Sequence, residues 1–424
     1  MNNRKVKKIL ILTVTAGNGH NSAANSMKNK LEELGHEVKV VDIIKEFTSK
    51  FNSWIVDKGY NIAVGHLLPI YNMFFRAYMK APNNKGEVCD SQASVKALNG
   101  KLLKLIYDFK PDVIYSTTYY GGMALANLRR AYKLPSVNVA CMLDYVVSPF
   151  WEASVGGVDF LTISNEQFRK PMMDKGFSDE QLVLTGIPIG EKFVNEIDKD
   201  VAREKLGLRK DLFTVLIFYG GGHWHGGYQV LQALLKRVKS EIQIVIVNGH
   251  NKKSKEKIDK EMKNYPKNFV IKNIGFSNEM DLIMSACDVM IGKGGGLSTT
   301  EAINKELPLI ATTKLPMQEV YNIKFLQENG MGFSFKNFKQ LVTELEFLRS
   351  HPEVVQEMKT KLRAIKTNGI EAIAKLIDSQ PNADYFGIVT TLDYGKVNKI
   401  VNRRRKKDYK LKKKGKAVAK KVSI

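Results

Sequence analysis

Residues 288–302 read DVMIGKGGGLSTTEA. The apolar run Asp288–Ile291 suits a buried strand; the three glycines Gly294–Gly296 follow, and helix-forming residues begin at Glu301. Strand, glycine turn and helix in that order form a cradle for phosphate. Glycine lets backbone N–H groups approach an anion, and a helix N-terminus adds roughly half a positive charge. Neither common nucleotide fingerprint fits. A Walker loop needs its lysine after the glycines, whereas Lys293 precedes them, and Leu297 stands where the dinucleotide pattern needs its last glycine. Alone, the stretch also reads as a tight turn between strand and helix.

The same alternation runs through most of the chain. Short β-rich runs occur at 9–15, 38–44, 112–118, 136–141, 159–164 and 182–188, then at 213–220, 242–249, 269–276, 288–293 and 308–313. Continuous apolar runs separated by helix-length segments predict parallel strands with crossover helices. The expected fold class is α/β, with two doubly wound domains facing a cleft. The join is placed at Gly186–Gly190, giving domains 1–190 and 191–379 and a basic C-terminal extension over 380–424.

The 424 residues carry a net charge of +23, and residues 396–424 alone hold 14 Lys/Arg against one Asp. Such asymmetry implies an anionic partner, nucleic acid or a membrane surface. Residues 403–421 are nearly all charge and are expected to be disordered or a surface-induced helix. The longest uncharged apolar-rich segment, Gly59–Phe75, is too short and too polar to span a bilayer. Residues 51–80 are aromatic with cationic flanks and read either as a core helix pair broken at Pro69 or as a membrane-facing segment. Cys89, Cys141 and Cys287 offer no disulfide framework or zinc spacing, which fits a reducing cytosol.

Four constellations could carry chemistry. Gly17, Gly19 and His20 form a glycine turn into a helix, where the dipole favours a neutral imidazole able to take a proton. Gly220, Gly221 and Gly222 end a strand and are expected on the donor-binding side; His223 and His225 beyond them make an H-x-H without an evident third ligand, so loop scaffolding is favoured over metal there. Asp144 follows the strand 136–141, where α/β sheets place ligands, and reads as a general base or as a turn residue. Glu301 is set to accept from a ribose diol, while Gln318 and Glu319 suit sugar hydroxyls. Together these describe a nucleotide-diphosphate sugar along the second domain.

In this order, TAGNGHNSAA, the Asp144 turn, GIPIG and KGGGLSTTEAINKELPLIATTKLPMQE resemble the monogalactosyldiacylglycerol synthase and processive diacylglycerol glucosyltransferase family over roughly residues 6–375. The resemblance implies a GT-B glycosyltransferase. It implies catalytic and acceptor-side roles for His20 and Asp144, with Gly19 and Tyr145 beside the acceptor. On the donor side it implies that Lys293, Gly294, Gly295, Gly296, Ser298 and Thr299 hold the diphosphate and Glu301 the ribose. Gln318 and Glu319 would contact the sugar, and the backbone at Phe276 the uracil. Two departures stand out. Lys293-Gly294-Gly295-Gly296-Leu297 replaces the family's lysine-alanine-glycine-proline-glycine, and Tyr145–Trp151 lacks the histidine that relatives often carry there.

The expected activity is inverting transfer of a hexose from a UDP-sugar to a membrane lipid, diacylglycerol above a polyprenyl-linked acceptor. Asp144 is favoured as the base and His20 as an acceptor-orienting partner. No cofactor or metal is expected, since loop amides and a helix dipole can hold the developing charge. The expected location is cytoplasmic, peripheral at the cytoplasmic face of the cell membrane, through 396–424 and 51–80. A nucleic-acid-binding α/β protein is the rival from another class, although no RNA- or DNA-binding module is apparent; a UDP-sugar epimerase is a third.

Overall fold

Ile9–Leu12 are completely buried in β1 (Lys8–Thr13), as a strand covered on both faces by helices requires. In the computed structural model β1 belongs to an all-parallel sheet with β2 (Glu37–Asp42), β3 (Val113–Ser116), β4 (Val137–Cys141), β5 (Phe160–Ile163) and β6 (Leu182–Leu184). Their order is 2-1-3-4-5-6. A second all-parallel sheet contains β7 (Thr214–Phe218), β8 (Ile242–Val247), β9 (Phe269–Ile274), β10 (Val289–Gly292), β11 (Leu309–Thr312) and β12 (Gly332–Phe335), ordered 12-11-10-7-8-9. The structure describes residues 5–15, 19–47, 67–80, 93–220, 226–388 and 392–410, apart from 405 and 409.

Each sheet changes direction once, between β1 and β3 in the first and between β7 and β10 in the second. Ligands of open α/β sheets bind outside the carboxyl ends of strands at such points. The helix beginning at Gly19 and His20 is the next described element after β1, and the glycine loop at 293–296 follows β10. All eleven runs read from the sequence form strands. The twelfth, GFSF at 332–335, escaped that reading because it is a four-residue edge strand with a glycine and a serine among its residues.

The chain crosses between the domains twice, and the crossings touch. Gly186 has φ +79°, and a Cβ at Gly369 would come within 2.6 Å of the Ile187 carbonyl. The helix Gly369–Asp378 then packs on the first domain's helix Gly19–Glu33, where Lys30 pairs with Glu371 at 3.0 Å and Glu191 at 2.7 Å.

Beyond this helix the start of the basic C-terminal extension is held on the first domain. Ala383 N–H donates to Asp112 Oδ1, Tyr385 Oη to the Pro111 carbonyl, and Asn99 Nδ2 to Asn398 Oδ1. Val397 and Val401 are buried in the same apolar cluster as Leu98 and Leu102 of the helix Ala93–Phe109. Apolar side chains interleaved with the basic ones therefore dock the start of this segment on the first domain; residues 411–424 lie outside the described residues. Pro69 stands at the start of a helix, and residues 51–66 of the aromatic segment before it lie outside the described residues. The proline occupies the first turn of the helix Leu68–Lys80, where its missing N–H costs nothing. No described helix is long and apolar enough to cross a membrane.

Candidate active site

The glycines of the 293–296 loop are required by crowding. A Cβ at Gly294 would sit 2.6 Å from the Glu319 carbonyl, and one at Gly296 would overlap the Leu143 carbonyl oxygen while lying 3.0 Å from Asp144 Oδ1. The loop is thus clamped between the second domain's helix Met317–Glu328 and the first domain's Asp144 turn. The helix Gly296–Asn304 begins here without a side-chain cap; its first i→i−4 bond is Thr299 N–H to Gly295 O, at 2.8 Å. The amides of Gly296, Leu297 and Ser298 therefore precede the hydrogen-bonded ladder and are suited to an anion. Leu297 also reaches across the cleft, with Cδ1 3.8 Å from where a Cβ at Gly19 would stand. Two helix N-termini, at Gly19 and Gly296, converge on one cleft.

Around this point lie most of the donor-side residues. Gly220 has φ +83°, and its Cβ position faces the Lys293 stem at 3.0 Å; Gly221, Gly222, His223 and His225 lie outside the described residues. Lys293 Nζ stands 3.5 Å from Glu319 Oε1, while Glu319 Oε2 is buried without a hydrogen-bond partner among the described residues. Burial raises the Glu319 carboxyl, and Lys293 opposes the shift. Glu301 is pushed up to about 8 by burial, against the weaker pull of Lys192. Gln318 Oε1 accepts from Tyr71 Oη at 2.9 Å. Phe276, just past β9, is 56% exposed and stacks on His250 with centroids 4.4 Å apart.

Two of the expected site side chains are buried. Thr299 is fully buried and its hydroxyl has no partner among the described residues. Tyr145, expected beside the acceptor, is buried in the seam between the domains. Its ring stacks on Phe325 at 4.6 Å and its hydroxyl lies 3.0 Å from Thr300 Oγ1, because the apolar ring gains more from that seam than from an open cleft.

The catalytic candidates share the first-domain rim. Asp144 is pushed up to about 6, chiefly by burial; the bond from Asn322 lowers it and the nearby Glu319 charge raises it. His20 Nδ1 donates to the Thr117 carbonyl at 2.7 Å, which fixes the neutral tautomer with its lone pair on Nε2. Burial holds the His20 imidazole below its ordinary range. Neutral histidine and readily protonated aspartate are both able to accept a proton near neutral pH.

Asn322 and Tyr71 were missed in the sequence. Asn322 is completely buried, takes the Tyr145 N–H on Oδ1 at 2.7 Å, and donates to Asp144 and to the Gly294 carbonyl. Its signal was present: it stands four residues after Gln318, on the same helix face. Tyr71 carried no such signal, since it comes from a distant segment.

Residues 20–189 match the family described as monogalactosyldiacylglycerol (MGDG) synthase, and residues 227–377 match the glycosyltransferase family 28 C-terminal domain. A processive diacylglycerol beta-glucosyltransferase of Bacillus licheniformis is 26% identical over 374 residues, covering 87% of this chain and 93% of its own. A protein of the same name from Staphylococcus carnosus is 28% identical over 370 residues, covering 85% and 91%. Among solved structures, MurG of Acinetobacter baumannii superimposes with a TM-score of 0.62 at 16% identity, over 88% of this chain and 99% of MurG. That likeness shows the fold, GT-B.

Proposed function

The chain belongs to the family of monogalactosyldiacylglycerol synthases and processive diacylglycerol glucosyltransferases, and on that premise we propose that it transfers a hexose from a UDP-sugar to diacylglycerol at a membrane surface. The observation that carries this reading is the meeting of the Gly19 and Gly296 helix N-termini beside Asp144. A diphosphate lodged there would face both dipoles, the amides of Gly296–Ser298 and Lys293. This array takes the place of a divalent metal in holding the leaving group.

In the proposed step the acceptor hydroxyl oxygen attacks the anomeric carbon from the face opposite the diphosphate. The bond to the UDP oxygen breaks, UDP leaves with the electron pair, and configuration inverts. Asp144 takes the acceptor proton, and His20 Nε2 orients the hydroxyl. Glu301 holds the ribose, Gln318 and Glu319 the sugar, and the backbone at Phe276 the uracil. The basic C-terminal residues and the apolar face of Leu68–Lys80 would keep the cleft at the cytoplasmic face of the cell membrane. Incubating the protein with radiolabelled UDP-glucose, UDP-galactose and UDP-N-acetylglucosamine in diacylglycerol micelles tests the reading. Label in a diacylglycerol-linked product supports it; label only in free sugar or an epimerised nucleotide overturns it.

A further inference from the structure

The helix Leu68–Lys80 belongs to the first domain by sequence but is fastened to the second. Besides the Tyr71–Gln318 bond, Asn72 Nδ2 donates to the Leu315 carbonyl at 2.9 Å, Arg76 Nε points at Met317 Sδ at 3.4 Å, and Phe75 lies 6.4 Å from the Tyr321 ring. All four grip the segment 315–321, which carries the proposed sugar-reading pair. At 100° per residue, Tyr71, Asn72, Phe75 and Arg76 share one helix face. Ile70 and Met73 lie on the opposite face, 49% and 58% exposed, with Leu67 on the same side just ahead of the helix, 47% exposed. Three large apolar side chains in a row on solvent, on a helix whose other face is occupied, suit a lipid surface, and the net charge of +23 favours an anionic one.

We propose that this helix is a strap coupling the bilayer to the donor sugar: insertion of its outer face into anionic lipid steadies its inner face, and Tyr71 thereby positions the Gln318 amide for the hexose. The bond from Tyr71 commits Gln318 Oε1 and so fixes which way the amide's donating end turns. Tyr71 is a positioning residue, acting through Gln318. The inference rests on the UDP-sugar reading but is separable from it, because UDP lacks the group that Gln318 reads.

The test measures binding of UDP and of UDP-glucose by calorimetry, with and without phosphatidylglycerol vesicles. Tyr71→Phe keeps the ring and removes the hydrogen bond to Gln318, so UDP-glucose affinity is expected to fall about three- to tenfold while UDP affinity holds. Vesicles are expected to tighten UDP-glucose binding to the unaltered protein by a similar factor. Neither Tyr71→Phe nor Ile70→Glu should respond to vesicles, and Ile70→Glu should bind UDP-glucose normally in their absence. Equal UDP-glucose affinity in Tyr71→Phe and the unaltered protein, or a vesicle response surviving in Ile70→Glu, overturns the coupling. An unaltered protein that binds neither nucleotide sinks the glycosyl-transfer reading itself and the coupling with it.

Discussion

Asn322 on the second domain donates its side-chain amide to Oδ1 of Asp144 on the first, at 2.8 Å. The other amide hydrogen goes to the Gly294 carbonyl of the glycine loop at 2.7 Å. One side chain therefore ties the proposed base to the proposed diphosphate loop. Because the bond favours the carboxylate, Asn322→Ala should raise the Asp144 pKa above about 6. A general base works only when deprotonated, so the acidic limb of the kcat/KM profile should move to higher pH. The loss is expected to be about tenfold at pH 6.5 and smaller at pH 8.5. A parallel drop at every pH would make Asn322 purely structural.

Asp144 itself should control that limb. In the unaltered protein kcat/KM should fall as pH drops through about 6. Asp144→Asn should remove the limb and lower turnover by about 10²–10⁴-fold, with UDP affinity nearly unchanged. Burial holds the His20 imidazole below its ordinary range and its Nδ1 is committed to the Thr117 carbonyl, so His20→Ala should cost turnover and leave the limb set by Asp144 in place. If Asp144→Asn kept near-normal turnover, the base would have to be His20 or another group.

Much of this was legible in the sequence. Period and apolar runs placed eleven strands, and the glycine motifs fell at both switch points because those points follow from strand order. What sequence could not convey was which surfaces the two domains share. The aromatic residue Tyr145 reads the same whether it faces an acceptor or a seam, and only the position of Phe325 decides. Tyr71 and Gln318 are 247 residues apart, so no local pattern joins them. The docked C-terminal segment was hidden for a different reason: its charge density masks the pair Val397 and Val401, spaced one helical turn apart.

Glu301 offers a test with two readouts. Glu301→Ala removes the proposed ribose bonds, worth about 1.5–3 kcal/mol, and should weaken UDP binding roughly ten- to a hundredfold. Separately, its carboxyl is pushed up to about 8, so the folded state holds a proton that the unfolded chain has released. Stability from this group is thus full below about pH 4.5 and is lost as pH rises toward 8. Glu301→Gln, which cannot ionise, should raise the melting temperature by ~1–3 °C at pH 8.5 and leave it unchanged at pH 4.5. Thermal-shift scans at the two pH values check the sign, and a gain at low pH alone contradicts the burial argument.

The C-terminal segment calls for two truncations rather than one. Val397 and Val401 are buried against the first domain, so deleting 396–424 strips apolar cover as well as charge. Burial of a valine contributes about 1.5–3 kcal/mol, and that deletion should lower stability by several kcal/mol. Stopping after Lys410 leaves the docked valines and removes six lysines, Lys412, Lys413, Lys414, Lys416, Lys420 and Lys421. Near an anionic bilayer each lysine contributes about 1 kcal/mol at most, and partial engagement predicts a ten- to hundredfold loss of vesicle affinity. Raising salt should mimic the shorter truncation, because exposed charges are screened within about 8–10 Å near 0.1 M. Activity on a short-chain, water-soluble acceptor should survive it, since every proposed donor and catalytic residue lies before position 320. Truncated protein that binds anionic vesicles as before but loses affinity for RNA would assign these lysines to nucleic acid and leave the glycosyltransferase site untouched.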